Sequence, residues 1–162
     1  MFSQRLIDMA TRVLAELRAK DLMLATAESC TGGLIAALLT DVPGASHNFD
    51  RGFVTYSNHA KHDMLGVAKA VLISSGAVSE PVARAMAQGV LTHSRADVAV
   101  AVTGVAGPGG GTPQKPVGLV HIAAARKGRA VLHEAHQFGD IGRDEVRFKS
   151  VEAALNLLRK LL

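Results

Sequence analysis

The order of apolar patterns in this chain predicts a three-layer α/β/α fold with a mixed sheet, and three observations carry that expectation. Residues 96–104, ADVAVAVTG, form a continuous apolar run ending in glycine. Such a run is the mark of a strand covered by helices on both faces. Upstream of it, short strand-like and helix-like segments alternate. Downstream, residues 118–125 and 130–138 read as two strands joined by Arg126-Lys127-Gly128-Arg129, so one side of the sheet is an antiparallel hairpin.

Each element has its own signal. Residues 3–19 place Leu6, Ala10, Val13 and Leu17 on one face, the spacing of an amphipathic helix. Residues 23–28 read as a short strand, followed by a helix over 31–40 that stops before Pro43-Gly44. GFVTYS, 52–57, reads as a second strand, and Asn58 is placed to cap a short helix through Met64. Ser79 is a good N-cap, with Pro81 in the first turn of a helix running to about His93. Arg143 to Leu162 closes the chain as a helix with Val146, Val151, Ala154, Leu158 and Leu161 inward. No internal repeat, linker or low-complexity tract interrupts this order, so residues 1–162 are expected to form one domain.

Composition narrows the function classes. Aromatic residues make up 4% of the chain, with one Tyr and no Trp. The core is therefore built from Ala, Val, Leu and Ile, and a base-stacking surface for single-stranded nucleic acid is not expected. The net charge of +4 is scattered, apart from the short cluster at 126–129. That balance suits a small anionic substrate better than direct nucleic-acid binding. Cys30 is the only cysteine, which rules out an internal disulfide or a cysteine zinc cluster. The N-terminus lacks the apolar core of a signal peptide, and no run of about 20 apolar residues exists to span a membrane. A cytoplasmic protein without membrane contact is the expectation.

Four constellations have the residue types for chemistry. The first is TAESCTGG, 26–33, which reads as strand, sharp turn, helix. It sets Ser29 and Cys30 before Thr31, Gly32 and Gly33 at the C-terminal end of a strand, where open α/β sheets place ligands. The helix start offers N–H groups and a positive dipole end. Helix capping by Ser29 is an equal contender, and Cys30 competes with it as nucleophile. The second is Tyr56-Ser57-Asn58-His59-Ala60-Lys61. A lysine early in a helix is opposed by the dipole, and partial burial lowers its pKa further, so Lys61 is a candidate base for a serine. The competing reading is an exposed surface lysine. The third is the loop from Thr103 and Gly104 through Gly107, Pro108, Gly109, Gly110 and Gly111. Its bare N–H groups suit a phosphate, although it is neither a P-loop nor a dinucleotide fingerprint. The fourth is Arg143, with Arg147 one turn later, either of which suits a phosphate or carboxylate. Two histidine pairs, His59/His62 and His133/His136, invite a metal reading. The second pair points to opposite faces of a regular strand and the first has only Asp63 nearby, so no metal site is expected.

Taken in order, TAESCTGG, GFVTYSNHAK with LGV, GAVSEPVARAMA, and VTGVAGPGGG with KPVGLV resemble the CinA C-terminal domain, the family of bacterial nicotinamide-nucleotide amidohydrolases. The resemblance runs from about Leu6 to the last helix. Larger members carry an N-terminal domain related to molybdopterin-binding proteins, and this chain resembles the stand-alone form. The resemblance implies hydrolysis of the carboxamide of nicotinamide mononucleotide to nicotinate mononucleotide and ammonia, with no cofactor. It implies Ser29 as nucleophile, Lys61 as base and Tyr56 as a hydroxyl beside them. Thr103 matches a position lining the same site, and Arg143 is the best match for the family's site arginine, with Arg147 a rival. Cys30, Thr31, Gly32, Gly33, Gly104, Gly107 and Gly109 complete the expected substrate surface. A homodimer or larger homo-oligomer is also implied. Two rivals stand beside this reading: a non-catalytic nucleotide-sensing or interaction module, and an amidase acting on a related nucleotide.

Overall fold

The computed structural model describes residues 1–162. Helix α1 (Gln4–Ala19) leads into β1 (Leu24–Glu28) and α2 (Leu34–Thr40), and a single 3-10 turn (Ala45–His47) precedes β2 (Phe49–Val54). Three helices follow, α3 (Asn58–Leu65), α4 (Lys69–Ser75) and α5 (Glu80–Thr92). The chain then forms β3 (Val98–Gly104), β4 (Leu119–Arg126), β5 (Leu132–Gln137) and α6 (Arg143–Arg159). The sheet order is β2-β1-β3-β4-β5. β1 runs parallel to both β2 and β3, while β4 and β5 are antiparallel, giving the mixed sheet that the hairpin pattern predicts.

The alternation in ADVAVAVTG explains the two helix layers. Val98, Val100 and Val102 face α1, α2 and α6, where they meet leucines such as Leu17, Leu38 and Leu158. Ala99 and Ala101, with Ala25, Ala27, Ala123 and Ala125 from neighbouring strands, face the layer containing α5. Small side chains on that face let α5 lie close to the sheet, and its own Ala83, Ala87 and Gly89 are fully or nearly buried there. A Cβ on Gly89 would stand 2.2 Å from the carbonyl oxygen of Leu65, so this glycine is what allows α3 to pack on α5. No helix is long and apolar enough to cross a membrane.

Four differences from the sequence expectation bear on the site, beyond shifts of one to three residues at other element ends. The second strand is 49–54, not 52–57, because Thr55 to Ser57 leave the sheet to enter α3. Ser57, not Asn58, is the N-cap of α3, accepting from the Ala60 N–H. α2 starts at Leu34 because Gly32 and Gly33 take positive φ values of 57° and 98°, which delays the helix by three residues. Helix α4 is absent from the sequence reading, since KAVLISS is too short for its period to distinguish helix from strand.

β1 and β3 are the central parallel pair, and the chain leaves them in opposite directions across the sheet. The crevice at their C-terminal ends is the switch point where α/β sheets hold ligands. Ser29 follows β1 there, and the glycine loop follows β3.

Candidate active site

Ser29 is the first residue past β1 and donates its N–H to the Val102 carbonyl of β3 at 3.0 Å. The chain then doubles back: the Gly32 N–H reaches the Ser29 carbonyl at 3.0 Å. Only glycine takes the two consecutive positive φ values at 32 and 33 without strain, so the turn is written into the sequence. The carboxylate of Glu28, 1% exposed, accepts from the N–H groups of Gly33 (3.1 Å), Ile35 (3.0 Å) and Ala36 (2.9 Å). The N-terminus of α2 therefore serves Glu28. This corrects the expectation that the helix start faces a substrate, and α2 has no other side-chain cap.

Lys61 is fully enclosed, 1% exposed, which excludes the reading of a surface lysine. Its Nζ lies 2.9 Å from Ser29 Oγ, 2.7 Å from the Thr55 carbonyl and 3.4 Å from the Tyr56 carbonyl. A neutral amine has two N–H donors and one lone pair. The two carbonyls match the donors, leaving the lone pair for the Ser29 O–H. Burial favours that neutral form and lowers the Lys61 pKa to about 8. Cys30 is also buried, but burial pushes its thiol up to about 11, so it stays protonated and weakly nucleophilic at neutral pH.

A cavity of about 300 Å³ opens in front of this pair, the size of a small-molecule site. Of the residues singled out in the sequence, Ser29, Cys30, Tyr56, Thr103, Gly104, Gly107, Gly109 and Arg143 line it. Lys61 sits behind Ser29 and does not reach the wall. Thr31, Gly32 and Gly33 also lie outside the wall, a correction to the expected substrate surface. Thr31 is fully buried, Gly32 faces solvent, and the Gly33 N–H is taken by Glu28. Tyr56 is 62% exposed at the rim. Its hydroxyl accepts from Arg143 at 3.2 Å and makes no hydrogen bond to Ser29 or Lys61, so it is the Tyr56 carbonyl that meets the amine. Arg143 also donates to the Gly107 carbonyl at 2.7 Å, holding the glycine loop over the cavity. Arg147 does not line the cavity. It donates to the carbonyls of Cys30 and Thr31, both at 3.2 Å.

The wall also includes Val105, Ala106 and Gly110 of the glycine-rich loop, and Ala77 and Val78 from the turn between α4 and α5, which the sequence did not single out. Thr103 Oγ1 donates to the Ala77 carbonyl at 2.9 Å and ties that turn to β3. The usable signal is Gly76 three residues ahead of the Ser79 cap: a positive-φ residue closes one helix and the next begins after only Ala77 and Val78. Several backbone donors at the cavity are free. The N–H groups of Cys30, Ala106, Gly107, Gly109 and Gly110 donate to no acceptor in the protein, nor does that of Thr31 behind the wall. The histidine pairs part company: His133 meets His121 and Glu80, His136 meets Glu134, and His62 bonds the Val67 carbonyl.

The profile of the CinA C-terminal domain matches residues 6–162. A nicotinamide-nucleotide amidohydrolase, PncC, of Enterobacter agglomerans is 50% identical over 156 residues, covering 96% of this chain and 94% of that protein. A CinA-like protein of Anaeromyxobacter sp. is 47% identical over 162 residues, covering 100% of this chain but 39% of that protein. The chain spans 28% to 39% of the length of such longer curated relatives. The crystal structure of the competence/damage inducible protein CihA from Agrobacterium tumefaciens superposes with a TM-score of 0.97 at 52% identity, covering 99% of this chain and 98% of that one.

Proposed function

This chain belongs to the CinA C-terminal domain family, and we propose that it is a nicotinamide-nucleotide amidohydrolase that uses Ser29 and Lys61 to hydrolyse the carboxamide of nicotinamide mononucleotide. The observation that carries the reading is the 2.9 Å contact between Ser29 Oγ and the enclosed Lys61 Nζ at the floor of a cavity. The name of the half-identical relative from Enterobacter agglomerans supports the substrate.

In the first step Ser29 Oγ attacks the amide carbon while Lys61 Nζ takes the hydroxyl proton. The carbonyl oxygen becomes an oxyanion, and the free N–H of Cys30, which follows Ser29 and lines the cavity, is the donor that meets it. The lysine ammonium then returns its proton to the nitrogen, the C–N bond breaks, and ammonia leaves. Water attacks the resulting ester with Lys61 again as base, giving the carboxylate and restoring the Ser29 hydroxyl. The glycine-loop N–H groups and Arg143 provide donors for the phosphate. Residues of this chain account for each proton transfer.

The test is a panel of pyridine nucleotides incubated with purified protein, with ammonia and the acid product measured. Release of ammonia and nicotinate mononucleotide in equal amounts is expected from nicotinamide mononucleotide. Turnover should be weaker with nicotinamide riboside, which lacks the phosphate. Tight binding without product across pH 6–9 would instead favour the nucleotide-sensing module.

A further inference from the structure

We infer that Glu28 and Arg147 are a positioning pair that grips the Ser29 turn from its two sides and thereby sets both the nucleophile and its oxyanion donor, the Cys30 N–H; this rests on the amidohydrolase reading above. Neither side chain lines the cavity.

The grip follows from peptide geometry. In a trans peptide the C=O and the N–H of the following residue point in opposite directions. Arg147 holds the Cys30 carbonyl at 3.2 Å, which turns the Thr31 N–H the opposite way, away from Arg147. The second bond from Arg147, to the Thr31 carbonyl, does the same for the Gly32 N–H, which is found on the Ser29 carbonyl. The fork of one guanidinium thus fixes two successive peptide planes. On the other side, Glu28 takes three N–H groups of the turn and of α2. It is also the residue directly before Ser29, and it is buried among the sheet residues of β1. Within the turn the Gly32 N–H is spent on the Ser29 carbonyl and the Gly33 N–H on Glu28, while the Cys30 N–H, at the cavity, is left unpaired. An arrangement that fixes the Ser29 carbonyl on one side of its peptide and leaves the Cys30 N–H of the same peptide free on the other is what a preorganised oxyanion site requires.

Both members come from rigid elements, Glu28 from the end of β1 and Arg147 from the second turn of α6. Arg147 faces little competition for its fork: the carboxylate of Asp144 is 4.0 Å away and 83% exposed. Glu28→Gln replaces one acceptor oxygen by an N–H donor aimed at a backbone N–H. Arg147→Lys keeps the charge but loses the fork.

The experiment measures kcat, KM and the pH profile of ammonia release from nicotinamide mononucleotide for wild type, Glu28→Gln and Arg147→Lys, together with amide hydrogen exchange of the three proteins. Each variant is expected to lower kcat on the order of 10- to 100-fold, with KM and the pH midpoint close to wild type, because positioning is lost while binding and the base remain. Exchange at residues 29–36 should quicken while β3 stays protected. Variants with reduced thermal stability but wild-type kcat well below the melting temperature would overturn the inference. So would a loss confined to KM. If Glu28→Gln does not fold, Arg147→Lys decides alone by the same readings. If wild type itself releases no ammonia, the functional reading fails, and exchange then judges the grip: quickening confined to 29–36 sustains it, and an unchanged pattern sinks it.

Discussion

Lys61 is the residue on which the chemistry turns, and its burial has two measurable consequences. Its neutral form is the base, and its pKa is lowered to about 8 by desolvation. The kcat/KM for ammonia release should therefore rise with pH and level off above about 8, in proportion to the neutral fraction. A flat profile from pH 6 to 9 would contradict Lys61 as base. The second consequence concerns stability. The unfolded chain titrates this lysine near 10.5, so between about 8 and 10.5 the unfolded state holds more protons than the folded one. Relative to Lys61→Met, the wild type should gain stability as pH rises through that window, measured by urea unfolding at several pH values. Much of this was hidden from the sequence. Composition shows a lysine early in a helix, whereas its enclosure depends on Thr55, Tyr56 and Ser29 arriving from other elements. Cys30 and Ser29 are likewise equal on paper, and only the burial of the thiol separates them.

Helix α3 is the element that carries Lys61, and its position depends on a residue far along the chain. Gly89 in α5 lies against Leu65, and a Cβ there would meet the Leu65 carbonyl oxygen at 2.2 Å and its Cβ at 2.9 Å. Neither atom is the far end of a flexible side chain, so α3 must shift. Gly89→Ala should destabilise the protein by about 1–3 kcal/mol by overpacking. It should also lower kcat with little change in KM, since Lys61 is one turn upstream of Leu65. Calorimetry and steady-state kinetics read the two effects separately. Elements with a long period were legible, as α1, α5 and α6 show by starting and ending within a few residues of expectation, α5 with the further help of its Ser79 cap. The turn after β1 was legible in its glycines but not in its partners. Glu28 ends a strand ahead of a helix whose N-cap is glycine, which is a hint that the carboxylate does the capping. Arg147 lies 117 residues from Cys30, and no local pattern announces that contact.

Across the whole molecule, the strand order decides where the site sits, and the sheet that carries it has unequal faces. On the strands, one face is lined mainly by Val and Leu and the other mostly by Ala. The alanine face leaves no room for enlargement: Ala101→Leu should cost about 1–3 kcal/mol. For a chain of this size that is a fall in Tm of roughly 2–4 °C per kcal/mol, read by thermal unfolding. The apolar run correctly identified the central strand, whereas the difference between its Val and Ala faces came with the fold. The strand order, and with it the switch point between β1 and β3, came only with the fold. The most direct test of the account is ammonia release from nicotinamide mononucleotide by wild type, Ser29→Ala and Cys30→Ala at saturating substrate. The account predicts that Ser29→Ala loses on the order of 1,000-fold or more of kcat while Cys30→Ala stays near wild type. Full activity in Ser29→Ala with loss in Cys30→Ala would contradict it.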